Sequence, residues 1–211
     1  MSRIRKNHDE RLTEILDAAE KLFATKSYDL TTVNDILEVV GIGKGTFYHY
    51  FKSKEEVMEA VLDRLTALIV EKIVIVADDS TLSAHDKMKQ MLLYLNIDDE
   101  DNRTIIEELN NPSNAKMHEK SMYKINETVS PILAKVVEEG IAEGVYQTDY
   151  PLETIDGLII FSHYMVDTAL PLLDFDRIVS RARALVRMIE LSLGAQTGSF
   201  AFLLEGFDNQ N

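Results

Sequence analysis

Between Gly43 and Lys54 the chain gathers side chains suited to a polyanion. Lys44, Thr46, Tyr48, His49 and Tyr50 can each donate a hydrogen bond, and Lys52 and Lys54 add two cations. Gly43 and Gly45 sit among them without side chains, so phosphate or a base edge can come close to the backbone. The chemistry this predicts is binding, through hydrogen bonds to phosphate oxygens and base edges. Lys54 also opens a helical pattern, where unpaired backbone N–H groups attract anions.

The elements that must hold these groups run from Thr32 to Lys54, TVNDILEVVGIGKGTFYHYFKSK. Thr32 and Asp35 fit a capping box at the start of a first helix, whose apolar face is Ile36, Leu37 and Val40. Gly41 predicts its end, because glycine tolerates the left-handed conformation found at helix C-termini, and Ile42 plugs the turn. Gly43 to Tyr50 reads as a second short helix, and Ser53 to Glu56 as a capping box for a third. Two helices joined by a short Gly-containing turn are the helix-turn-helix layout, in which the second helix enters the major groove.

With the helix before it, this stretch resembles the DNA-binding domain of the TetR family of bacterial transcriptional regulators, from about Arg11 to Leu62. The matching residues include Ile15 to Ala19, Leu22-Phe23, Tyr28, Thr31 to Val33, Ile36, Gly41-Ile42, Lys44 to Tyr48, and Tyr50 to Glu55. Leu37 and Val40 stand where alanines are usual, and Gly43 stands where serine is usual, which removes a side-chain cap. The resemblance implies that Lys44, Gly45, Thr46 and Tyr48 face the groove. It implies that Thr32, Tyr50 and Lys54 meet phosphate, and that His49 and Asn34 vary with operator sequence. It further implies a homodimer paired through the last two long helices, and a small-molecule effector bound by the C-terminal domain.

A net charge of −14 over 211 residues at first opposes nucleic acid. Its distribution answers this. Residues 1–54 hold nine basic against eight acidic side chains, and the remainder hold thirteen against 28. Arg3, Arg5 and Lys6 predict either a basic arm reaching phosphate or a solvated terminus. With no cysteine, disulfides, thiolate catalysis and Cys-based metal sites are excluded. The polar N-terminus predicts no signal peptide, and no apolar run approaches about 18 residues, so a cytoplasmic chain is expected.

Periodicity is helical throughout and predicts an all-α chain. The expected division is a helix-turn-helix domain over 1–54, a connecting helix from about 54, and a helical regulatory and dimerisation domain over 55–211. Helices are expected over Asp9–Thr25, Lys54–Val76, Ala84–Leu95, Arg103–Leu109, Ala115–Glu143 with a kink or break at Pro131, Pro151–Leu172 and Phe175–Leu193. The acidic run Asp98 to Asp101 reads as helix-capping charge rather than a metal site. The apolar tail with Phe200, Phe202, Leu203, Leu204 and Phe207 docks on the body, docks on a partner, or seals a pocket.

No nucleophile elbow, phosphate-binding Gly loop or HExxH occurs, and the sequence predicts neither an enzyme nor a cofactor. His118 with Glu107 or Glu119, and His163 with Asp167, read as local ion pairs. Met91, His118, Met122, Tyr123, Phe161, Tyr164 and Met165 are candidate ligand contacts, since methionine and aromatic side chains adapt their shape to apolar ligands. The predicted function is a ligand-responsive regulator, a repressor, binding a near-palindromic operator as a homodimer. The alternative is a helical sensor or adaptor that uses the hairpin against protein.

Overall fold

The computed structural model describes residues 8–95, 114–165 and 174–205. Every regular element among them is helical. The helices are α1 His8–Lys26, α2 Val33–Val40, α3 Lys44–Tyr50, α4 Lys54–Ala77, α5 Ala84–Leu95, α6 Ala115–Ala142, α7 Pro151–His163 and α8 Phe175–Ser192, followed by a 3-10 turn Ala201–Leu204. They divide into two compact units. Unit 1 takes residues 1–68 and 97–121, and unit 2 takes residues 69–96 and 122–211. The expected helix Arg103–Leu109, the acidic run 98–101, the arm residues Arg3, Arg5 and Lys6, and Leu172 and Phe207 lie outside the described residues.

Unit 1 forms because α1 presents Ile15, Ala19 and Phe23 at helical spacing, and all three lose their solvent exposure. They pack with Ile36, Leu37, Ile42, Phe47, Phe51, Val57, Met58 and Val61, while Tyr28 closes the same core. Met117, near the start of α6, also packs against it. Arg64 on α4 reaches two carboxylates on α1, pairing with Asp17 at 2.6 Å and with Glu20. Asp17 and Glu20 are three residues apart and share one helix face, so one forked guanidinium can meet both.

Unit 2 is built on Ile73, Val76, Met88, Met91, Leu133, Val136, Val137, Tyr146, Ile155, Ile189, Leu193 and Phe200. Lys87 is buried and ends on Glu139 at 2.6 Å, so α5 is tied to α6 by charge as well as by packing. Helix α6 ends in a Schellman motif: Val145 N–H donates to Gly140 O at 2.9 Å, Gly144 N–H donates to Ile141 O at 3.1 Å, and Gly144 has φ 78°.

Of the kink or break expected at Pro131, the break does not occur; α6 runs through it. The ring lies on the exposed side, where water can satisfy the carbonyl that loses its N–H partner. The tail question resolves toward the body. Phe200 is fully buried in the unit 2 core, and Phe202, Leu203 and Leu204 pack against it. The buried Glu190 carboxylate accepts from Gly198 N–H at 2.6 Å and pairs with Arg187 at 3.0 Å, fastening the same segment. His85 adds another fastening, with Nδ1 2.9 Å from Tyr146 Oη and Nε2 3.1 Å from Ser199 O.

Candidate nucleic-acid interface

Helix α2 starts as the sequence requires. Asp35 N–H donates to Thr32 Oγ1 at 3.2 Å, and Thr32 N–H donates to Asp35 Oδ2 at 2.7 Å, which completes the capping box. Thr32 Oγ1–H also donates to Asp35 Oδ2, so this hydroxyl reaches phosphate only by leaving that bond. Lys26 Nζ lies 2.7 Å from the same oxygen. Together the Lys26 ammonium and the Thr32 donors hold the Asp35 carboxyl down at about 2.

The turn follows from Gly41, whose φ of 70° is left-handed. Its N–H and that of Ile42 both donate to Leu37 O, at 2.9 and 3.1 Å, and Ile42 is buried against the unit 1 core. Helix α3 then begins on Gly43, which makes no side-chain cap. One α3 side chain, Phe47, points into the core. Lys44, Gly45, Tyr48 and His49 are exposed, with Thr46 and Tyr50 half-buried. Tyr48 keeps 54% of its surface exposed although it is large and largely apolar. Asn34 on α2 is exposed as well.

The two glycines at this end of α3 are not demanded by the fold. A β-carbon placed on Gly43 or Gly45 would meet nothing within 4 Å, and neither residue has a positive φ. Gly45 lies inside α3, where glycine costs stability relative to alanine, and Gly43 is the N-cap, a position glycine suits.

Helix α4 begins on half a capping box. Glu56 N–H donates to Ser53 Oγ at 3.3 Å, while the Glu56 carboxylate accepts from Lys52 N–H at 2.7 Å rather than from Ser53. Lys54 Nζ donates to Tyr28 O at 2.7 Å and lies 4.1 Å from the centre of the Tyr28 ring. Sequence reasoning missed this anchor, because nothing local to Lys54 points to a residue 26 positions earlier. Burial, with nearby Glu55, raises the Tyr28 hydroxyl to about 12.

The structure therefore brings Thr32, Asn34, Lys44, Gly45, Thr46, Tyr48, His49, Tyr50 and Lys54 into unit 1 on α2, α3 and the start of α4. Of the seven ligand candidates, six lie in unit 2 and differ in exposure. Met91 is fully buried in the unit 2 core, and Met122, Phe161 and Met165 are half-buried in that unit. Tyr123 and Tyr164 are exposed, and His118 falls in unit 1. No group of three or more metal-ligating side chains occurs among the described residues, and no described helix is long and apolar enough to cross a membrane.

A three-helix head with a capped first motif helix, a glycine turn and an exposed second helix defines a helix-turn-helix DNA-binding protein. Residues 15–61 match the family described as bacterial regulatory proteins, tetR family, and residues 98–187 match the tetracyclin repressor-like C-terminal domain. The chain belongs to the TetR family of transcriptional regulators.

A transcriptional repressor of Rhodococcus jostii, KstR2, is 46% identical over 52 residues, covering 25% of this chain and 26% of that protein. The chain spans 25% to 31% of the length of curated relatives of this kind. A transcriptional regulator from Cytophaga hutchinsonii has a similar fold at a TM-score of 0.64 and 21% identity, covering 88% of this chain and 98% of that one. The structure of RolR in complex with resorcinol is similar at a TM-score of 0.66 and 16% identity, covering 93% and 94% of the two chains.

Proposed function

We propose that this chain is a ligand-responsive transcriptional repressor of the cytoplasm, without catalytic activity, that binds a near-palindromic operator as a homodimer and is released by a small molecule. The carrying observation is the exposed start of α3, where Lys44, Thr46, Tyr48 and His49 surround a glycine the fold does not need. In this reading Lys44, Gly45, Thr46 and Tyr48 face the groove, Tyr50 and Lys54 meet phosphate, and Asn34 and His49 tune sequence choice. Thr32 holds the start of α2 and joins the phosphate contacts by exchanging its bond to Asp35.

Dimerisation is supported by apolar surface left open on unit 2. Gly157, Ile160 and Tyr164 lie on one exposed face at the spacing of helix turns, with Ile160 60% exposed. On α8, Ala184, Met188 and Leu191 do the same, with Leu191 62% exposed. Large apolar side chains left open along one face of each helix favour a protein partner. Two heads about 34–36 Å apart would then meet successive major grooves. An effector bound in unit 2 lowers DNA affinity to the extent that it prefers the other spacing of the heads. Repression and effector release are the behaviours suggested by KstR2, named a repressor, and by RolR, solved with resorcinol.

The test is selection of genomic fragments on the purified protein, with sequencing of what is retained and salt titration of each retained duplex. A repressor of this kind returns a few two-fold-related sites with steep salt dependence. Retention without sequence preference would sink the proposal.

A further inference from the structure

The His8 ring, at the start of α1, lies 4.7 Å from the Tyr50 ring, centre to centre, and 6.2 Å from the His49 ring. His49 and Tyr50 are themselves 5.4 Å apart. Two of the five histidines of the chain thus flank one tyrosine at the end of α3. Nothing in the packing of unit 1 requires them there. Both histidines are exposed, and neither belongs to the unit 1 core.

We propose that His8 and His49, set around Tyr50, form a proton-dependent phosphate contact, so that the head grips duplex DNA more tightly as pH falls from 8 to 6. This contact presupposes the duplex placement proposed above, moves His49 from sequence choice to the phosphate backbone, and adds His8, on a different helix, to the binding surface. An imidazole ordinarily changes charge in this interval, and it is the only side chain whose ordinary titration does. Beside a phosphate the protonated form is favoured, so binding takes up protons and the affinity rises as they become available. Tyr50 meets the His8 ring at a tilt and the His49 ring edge-on, and its hydroxyl would donate to the same backbone.

The surrounding charges permit this. Asp9 on α1 lies 3.4 Å from His8 Nδ1. Arg11 is engaged by Glu14 at 2.6 Å, and Glu10 is the other α1 carboxylate beside His8 in sequence. On the α3 side the charged neighbours in sequence are Lys44 and Lys52, both exposed cations.

The experiment measures dissociation constants by fluorescence anisotropy at pH 6, 7 and 8, using both a labelled mixed-sequence duplex and a fragment recovered by genomic selection. Wild type, His8→Gln, His49→Gln, the double variant and His49→Lys are compared at fixed ionic strength. The wild type is expected to tighten about tenfold from pH 8 to pH 6 on both duplexes, the scale of one or two added phosphate contacts. The double variant is expected to lose that pH ratio. His49→Lys should bind tightly with a reduced ratio, since its cation is permanent. A double variant with the wild-type pH ratio overturns this contact while leaving the DNA reading intact. A chain that holds neither duplex at any pH overturns both.

Discussion

The Lys54 ammonium is bonded to the carbonyl of Tyr28 and rests on its ring, at 2.7 Å and 4.1 Å respectively. One residue at the start of α4 therefore pins the loop that ends α1, and does so at the point proposed to meet phosphate. Lys54→Ala is expected to cost the head about 0.5–1 kcal/mol of stability from the lost cation–π contact. On DNA it should weaken all sequences alike and lower the magnitude of the salt slope by about one. Wild-type affinity at every salt concentration would remove Lys54 from the interface.

Gly45→Ala separates folding from binding. With open space around the new methyl group and an ordinary backbone, the variant should gain about 0.5–1 kcal/mol of stability. Its affinity for the selected duplex should fall, because the methyl occupies the surface that the groove approaches. Thermal melting and anisotropy on the same preparation measure the two effects. A variant that is both more stable and equally tight on DNA would show that α3 faces elsewhere.

Asp35 sets an acid dependence. Its carboxyl titrates at about 2 in the folded head against an ordinary 3.8, because Lys26 and Thr32 favour the anion. A carboxyl lowered by folding contributes stability that is complete above its unfolded value and lost as pH falls to its folded value. The contribution should therefore disappear between about pH 4 and about pH 2. Asp35→Asn should reduce the loss of helicity through that window, followed by circular dichroism. Identical acid profiles for the two proteins would contradict this.

Gly140→Ala tests the unit 2 end of α6. A β-carbon there would run into the ring of Tyr146, which is buried and hydrogen-bonded to His85. The ring must move, and a cost of about 1–3 kcal/mol is expected from overpacking. Chemical denaturation monitored by tyrosine fluorescence reads it. Unchanged stability would mean that Tyr146 yields freely.

The open apolar faces of α7 and α8 make a solution prediction. Ile160→Asp combined with Leu191→Asp should convert a dimer to a monomer in sedimentation equilibrium. Operator affinity should drop by roughly a hundredfold, as two linked heads become one. A wild-type chain that sediments as a monomer would refute the homodimer outright.

Much of this architecture was legible in the sequence because apolar periodicity and caps are local signals. Ala84–Leu95 has the expected bounds, and Thr32, Asp35 and Gly41 play the parts that their types and spacing predict. The exposed start of α3 was legible for the same reason, since Phe47 alone in that helix demanded a core. The unread contacts are those between distant positions. Neither Lys54 on Tyr28, Arg64 across Asp17 and Glu20, nor His8 beside Tyr50 has a local pattern, because each depends on how helices cross. The break allowed for at Pro131 does not occur, because a proline on the exposed side leaves its orphaned carbonyl to water. Composition alone does not separate a ligand contact from a core residue, since methionine suits both, and Met91 is buried in the unit 2 core.

The His85–Ser199 contact joins positions 114 residues apart. A growing polypeptide must therefore extrude everything from α5 through α8 before Phe200 can take its seat. Until then the vacant socket is a greasy opening on a nascent body, where another apolar surface can lodge.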